Sequence, residues 1–205
     1  MKKLTTVAFA ALLIAGCGND SFNKGGDRAE PNLSSGKIAE INFDDPETRK
    51  KIIAEAIGRN QLQYRQDKGD ELAYDTKAQA TYSGWEKEIY DNGTIWRLSQ
   101  WKDGKRNGVS IWWHENGNKS MEENYKNGKR DGLQTEWFEN GQKELEANYK
   151  GGKQDGLETG WYENGQKEYS GNWKDTQQDG LWVFYNEDGT EKNRITFKDG
   201  EVFRD

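Results

Sequence analysis

From residue 82 onward, apolar and polar residues alternate in short runs that return every 24 positions. In one such unit Leu133, Thr135 and Trp137 alternate with polar neighbours, Glu139-Asn140-Gly141-Gln142 interrupts, and Leu145, Ala147 and Tyr149 alternate again. A period of two marks a half-buried strand, and Asn-Gly between two such runs is hairpin chemistry. The unit therefore reads strand, turn, strand, turn, with Lys150-Gly151-Gly152-Lys153 leading into the next. All six alternating positions are odd-numbered, so they are expected on one face. That requires an odd number of loop residues, and a three-residue loop 139–141 with Gly141 left-handed supplies it. Gln134, Glu136, Glu144, Glu146 and Asn148 are then expected on an opposite, polar face, which Trp112, Phe138, Tyr162 and Phe184 interrupt at comparable positions.

The period is carried by several columns at once. Gly108, Gly132, Gly156 and Gly180 form one, and Gly93, Gly117, Gly141, Gly165 and Gly189 another; Trp113, Trp137, Trp161 and Tyr185 form an aromatic column, and Trp101, Tyr125, Tyr149, Trp173 and Phe197 a second. Internal repetition of this kind is the signature of a solenoid, in which each unit buries its face only against its neighbours and the ends need caps. The expected fold is mainly β: a single-layer, twisted antiparallel meander of tandem 24-residue hairpins, about ten strands in all, with one short N-terminal helix.

That helix is expected over residues 45–57. Asp44 or Asp45 is placed to cap it, Pro46 suits the first helical position, Glu47 the first turn and Gly58 the end. Ile52, Ile53, Ala56 and Ile57 form an apolar stripe, which needs a partner because so short a helix is marginal alone. The first hairpins are the expected partner. Short strands are predicted around Leu62, Leu72 and Thr81, with a turn at Asp67-Lys68-Gly69-Asp70.

Ahead of these elements, Met1-Lys2-Lys3 precedes an apolar stretch from Leu4 to Ala15 that is too short to span a bilayer, which takes about 20 residues. It has the charge order and length of an export signal. The stretch ends Leu13-Ile14-Ala15-Gly16-Cys17, which resembles the lipobox of bacterial lipoproteins, and Cys17 is the only cysteine, so no disulfide competes for its thiol. The resemblance implies lipidation at Cys17 by palmitate-type acyl chains, anchorage in the cell envelope and, with Gly18 rather than Asp following, the outer membrane in a two-membraned host. Loss of Lys2 and Lys3 on cleavage takes the net charge from -6 to -8. The expected organisation is a signal peptide at 1–16, a lipid anchor and tether rich in Gly, Asn and Ser at 17–40, a small helix-plus-strands module at 41–81, and a repeat array at 82–205.

Composition narrows the chemistry. Aromatic residues make up 12% of the chain while hydrophobic residues reach only 32%, so rings carry most of the apolar surface of a thin fold. Acidic and basic residues are interspersed, which leaves no electrostatic footprint for nucleic acid. His114, the one histidine, has no second histidine or free cysteine near it in sequence to complete a zinc or nucleophile set. Glu122 with Glu123, or Glu144 with Glu146, has the residue types for glycosidase work, but carboxylates recur in every unit and nothing singles out one pair. Turn Asp and Asn residues are accounted for by turn backbone needs rather than by calcium. The chain is expected to be non-enzymatic, with no cofactor and no metal.

The segments Gly-Leu-Gln-Thr-Glu-Trp-Phe-Glu-Asn-Gly-Gln-Lys at 132–143 and Gly-Leu-Glu-Thr-Gly-Trp-Tyr-Glu-Asn-Gly-Gln-Lys at 156–167 are similar to the bacterial MORN variant repeat, from which the YwqK-like antitoxin family is built. The resemblance covers roughly residues 82–203. It implies a hairpin-repeat fold and a role in holding a partner, either by neutralising a toxin, as in that family, or at a membrane-proximal surface. The rings expected to make contacts are Trp112, Trp113, Trp137, Phe138, Trp161, Tyr162 and Phe184. A protein partner or a second copy of the chain is the first expectation. Stacking of pairs such as Trp112 with Trp113 and Trp161 with Tyr162 on cell-wall glycan, or contact with lipid, is the second.

Overall fold

The computed structural model describes residues 41–67 and 70–203. The expected signal peptide, Cys17 and the tether lie outside the described residues. The described chain opens with α1 (Pro46–Glu55), followed by β1 (Ile57–Gly58), a 3-10 turn (Arg59–Gln61), β2 (Leu62–Asp67), β3 (Asp70–Asp75), β4 (Ala80–Thr81), β5 (Gly84–Ile89), β6 (Ile95–Lys102) and β7 (Lys105–Trp113). The array continues as β8 (Lys119–Lys126), β9 (Lys129–Arg130), β10 (Gly132–Trp137), β11 (Lys143–Lys150), β12 (Lys153–Trp161), β13 (Lys167–Lys174), β14 (Gln177–Tyr185), β15 (Glu191–Lys198) and β16 (Glu201–Val202). From β5 to β16 consecutive strands pair antiparallel in one sheet, with the short β9 on the side of β8, and β1 adds a parallel edge beside β5. This sheet has 13 strands rather than about ten, because residues before and after the clear repeats join it. β2, β3 and β4 make a separate three-stranded sheet. Among the described residues no helix is long and apolar enough to cross a membrane.

Two kinds of turn alternate along the meander. At one end the loop has three residues: Phe138 N–H donates to Gln142 C=O and Gly141 N–H to Phe138 C=O, with Gly141 at φ +84°. At the other end a two-residue turn has both central residues at positive φ, as in Asn127-Gly128 and Gly151-Gly152, the condition for the type I′ hairpin turn.

The facing of side chains differs from the sequence expectation. Leu145 pairs with Glu136 and Ala147 with Gln134, while Leu133 and Thr135 pair with Asn148 and Glu146. The pairing shifts by one residue between Glu136 and Trp137, leaving Glu144 as an extra residue on β11. That bulge inverts the parity on one side of the hairpin, since a one-residue slip moves every side chain to the opposite face. One face therefore carries Gln134, Glu136, Leu145, Ala147 and Tyr149, and the other Leu133, Thr135, Trp137, Glu146 and Asn148. The leucine column pays the consequence in exposure: Leu133, Leu157 and Leu181 are 42%, 50% and 46% exposed.

The core sits at the N-terminal end, where the sheet is covered on both faces rather than standing as one layer. On the face that continues the leucine column, α1 and Phe43 lie over Leu98, Ile111 and Trp113, with Ile52, Trp85, Ile95 and Val109 packed around them. Asp45 caps α1 by accepting from Thr48 N–H at 2.8 Å. The helix ends at Glu55, short of the expected Ile57, because Ile57 and Gly58 are drawn into parallel pairing with Glu86 and Lys87. On the other face the small sheet covers Trp101 with Leu62, Ala73 and Tyr82. Both clusters combine residues from before and after residue 81, and Ile41–Asp205 forms one compact unit.

Candidate functional site

The three-residue turns form a row held by their own side chains. Asn116, Asn140 and Asn164 each accept the N–H two residues on, and each donates its amide to the carbonyl of the glutamate that opens the next turn: Glu139, Glu163 and Glu187, at 2.8–3.0 Å. Asp188 fills the same place in the turn between β14 and β15, where its carboxylate accepts from Thr190 N–H. A second ladder runs beside it. Tyr90 Oη donates to Trp113 C=O at 2.7 Å, and Tyr162 Oη to Tyr185 C=O at 2.9 Å. His114 Nε2 lies 2.8 Å from Trp137 C=O, a geometry in which that nitrogen carries the proton. His114 is thus a structural link between repeats. Phe138 occupies the same column without a polar atom and is half-buried.

Between the repeats that begin at Gly132 and Gly156 this end of the sheet opens into a groove of about 630 Å³. It is lined by the aromatic residues Phe138, Trp161, Tyr162 and Tyr169 and by the acidic residues Glu136, Glu144, Glu163, Glu168 and Glu187. Repetition builds it: Phe138 and Tyr162, Glu144 and Glu168, and Glu163 and Glu187 are equivalents 24 residues apart, brought side by side by the pairing of successive hairpins. Glycine makes its floor, for the Tyr169 ring lies where a side chain on Gly160 would stand, with ring atoms 2.4 to 2.9 Å from the position of an added Cβ.

The field in the groove is negative. Burial, with Glu144 and Glu123 adding to it, holds the Glu136 carboxyl above the ordinary glutamate value against the opposing effects of Gln134 and Arg130. Burial and then Glu158 push the Tyr169 phenol well up, and desolvation, Glu168 and Glu187 raise that of Tyr162. A carboxyl whose pKa is raised on folding favours the folded state at low pH, and that contribution is lost as pH rises through the folded value. Glu136→Gln is therefore expected to leave Tm unchanged in acid and to raise it at neutral pH, which thermal melts of both proteins across pH 3–8 would register; a Tm difference independent of pH would contradict the assignment.

The seven rings expected to make contacts do not share one surface. Phe138, Trp161 and Tyr162 line the groove, and Phe184 adjoins it through Tyr169, with ring centres 6.4 Å apart. Trp112 is half-buried opposite Arg97 and Met121. Trp137 lies on the opposite face with Lys119 Nζ 5.6 Å from its ring centre. Trp113 is 1% exposed beneath α1 and belongs to the core. The expected pair Trp112 and Trp113 therefore presents no joint stacking surface; Trp161 and Tyr162 both border the groove, but the Trp161 ring, like that of its equivalent Trp137, lies toward the leucine face with Lys143 Nζ 5.8 Å from its ring centre. Sequence reading missed Tyr169, Glu163, Glu168 and Glu187, and named Glu136 and Glu144 as polar-face residues without joining them to the rings; the 24-residue offsets between Glu144 and Glu168 and between Glu163 and Glu187 were the available signal.

The profile of the MORN repeat variant matches residues 106–127, 130–150 and 154–175. These three matches stand in tandem, each taking in a complete hairpin of the sheet, β7–β8, β10–β11 and β12–β13. The middle of the large antiparallel meander is thus made of tandem MORN variant repeats, which suggest a repeat protein for binding interactions. No curated protein matches this chain.

Proposed function

We propose that this protein is a lipoprotein of the cell envelope, anchored through Cys17, whose repeat sheet holds a protein partner and performs no catalysis. The groove between the third and fourth hairpins carries the proposal, because it joins rings and carboxylates from successive repeats in one concavity at the edge of a rigid sheet. A volume of about 630 Å³ falls in the range of ordinary ligand sites. The likeness of 132–143 and 156–167 to the YwqK-like antitoxin family favours a protein as occupant, with toxin neutralisation at the envelope as one form of it. The exposed leucine column on the opposite face offers further contact area. Glycan binding is the second reading, favoured by Trp161 and Tyr162 bordering one groove.

The anchor has its own test. Cells grown with an alkyne analogue of palmitate are expected to label the chain and to hold it in the membrane fraction, while Cys17→Ser loses the label and leaves the chain in the soluble fraction. Equal labelling of both would contradict anchorage at Cys17.

A further inference from the structure

The sheet has a recurrent way of finishing its rings, which is to lay a cation over them. Arg130 stands 5.0 Å from the ring centre of Tyr149, Arg106 5.5 Å from those of Trp101 and Tyr125, Lys119 5.6 Å from Trp137 and Lys143 5.8 Å from Trp161. Most of these cations also have a carboxylate: Lys119 pairs with Glu122, Lys143 with Glu146 and Arg130 with Glu123. Ring, cation and carboxylate together form the local unit of this fold, and it satisfies the negative ring face and the acid at once.

The groove holds two parts of that unit and lacks the third. It has the rings Phe138, Tyr162 and Tyr169 and the carboxylates Glu136, Glu144 and Glu168, yet among the described residues that line it none is Lys or Arg. Lys143, the cation nearest in kind, is taken up by Trp161 and Glu146. The Tyr162 hydroxyl is already engaged on Tyr185 C=O, so this residue offers the groove its ring rather than its polar atom. Phe138 has only a ring to offer.

We infer that the groove is a binding site for an organic cation of the alkylammonium class, with its charged head against Phe138, Tyr162 and Tyr169 and the glutamates around it. An aromatic wall attracts such a head through the ring quadrupole, and the exposed carboxylates Glu144 and Glu168, with no Lys or Arg among the described residues lining the groove, add long-range attraction. A neutral sugar can give its hydroxyl hydrogens to the carboxylates but gains nothing from their net charge, and an anion is repelled by it. The same chemistry is presented by a lysine side chain of a protein partner and by a quaternary ammonium headgroup. The inference rests on reading the sheet as a binding surface, but not on the lipid anchor.

The test is titration calorimetry on the full chain carrying Cys17→Ser, with choline, with a short lysine-rich peptide, and with 3,3-dimethylbutanol, the uncharged carbon counterpart of choline. Saturable binding of either cation, weakened by added salt and by about tenfold in a Glu144→Gln, Glu168→Gln double variant, is the expected result. Both glutamates stand at the surface, so the variant is expected to keep the wild-type melting curve, and Phe138→Ala provides a second, charge-neutral lesion with the same loss. The tighter of the two cations identifies the source as headgroup or protein. Binding of the uncharged compound as tight as that of choline, or no heat from either cation at millimolar concentration, would overturn the inference. If neither cation binds while a protein partner is still captured in cells, the cation site falls and the partner reading stands; if a cation binds and no protein is captured, the reverse holds.

Discussion

Glu86→Ala is expected to destabilise the protein by about 3–5 kcal/mol, the usual cost of breaking a buried charge network by removing one partner. Glu86 is fully buried on β5, and four donors from three elements, the 3-10 turn, β2 and β6, converge on it. Arg59 Nη1, Tyr64 Oη and Arg97 Nη2 reach Oε1 at 3.1, 2.8 and 3.0 Å, and Trp101 Nε1 reaches Oε2 at 2.7 Å. The carboxylate thereby ties the 3-10 turn and β2 of the small sheet to β5 and β6 of the large one. Without it the buried Arg97 keeps only Glu88, and the Trp101 ring N–H loses its partner inside the core. Urea unfolding followed by Trp fluorescence gives the magnitude, and a loss below about 1 kcal/mol would show that the network is dispensable. Glu86→Gln keeps the shape but turns an amide donor toward donors, so it is expected to recover only part of the loss.

Trp113→Ala should cost a comparable amount, about 3–5 kcal/mol for a large ring removed from a packed site. The informative comparison is the same substitution further along the column. Trp113 lies under α1 with Leu98 and Ile111, whereas Trp161, two repeats on, is half-buried and borders the groove. Trp161→Ala is therefore expected to cost no more than about 1–2 kcal/mol, in proportion to the smaller area it removes from water. Equal losses at both positions would mean that stability is spread evenly along the repeats rather than concentrated where the helix and the small sheet cover the meander.

How much of this was legible in the residues depends on the range of the interaction involved. The 24-residue columns and the Glu-Asn-Gly-Gln segments were sufficient for the strands, the antiparallel meander and the three-residue loop, because turn chemistry is local. The bulge at Glu144 was not visible. Parity along each strand is the same with or without it, and only cross-strand pairing shows that Leu145 faces with Glu136 instead of Trp137. The end of α1 was misplaced for a tertiary reason, since Ile57 has both helical spacing and a strand partner, and the pairing with Glu86 prevails. Trp113 looked like its column mates Trp137 and Trp161 until the helix was found over it. Of the groove, the rings Phe138, Trp161 and Tyr162 stood out as large side chains in a polar pattern. Its acids did not, because glutamates recur in every repeat and only the folded sheet brings Glu136, Glu144 and Glu168 beside the same rings.

Partner binding at the groove is read out by a photoreactive amino acid placed at position 138 of the chain in living cells. Irradiation is expected to capture one recurrent protein, identified by mass spectrometry, and the same group at Lys126, exposed on the opposite row of turns, is expected not to capture it. Capture of that protein from both positions alike, or of cell-wall glycan alone from position 138, would contradict the claim.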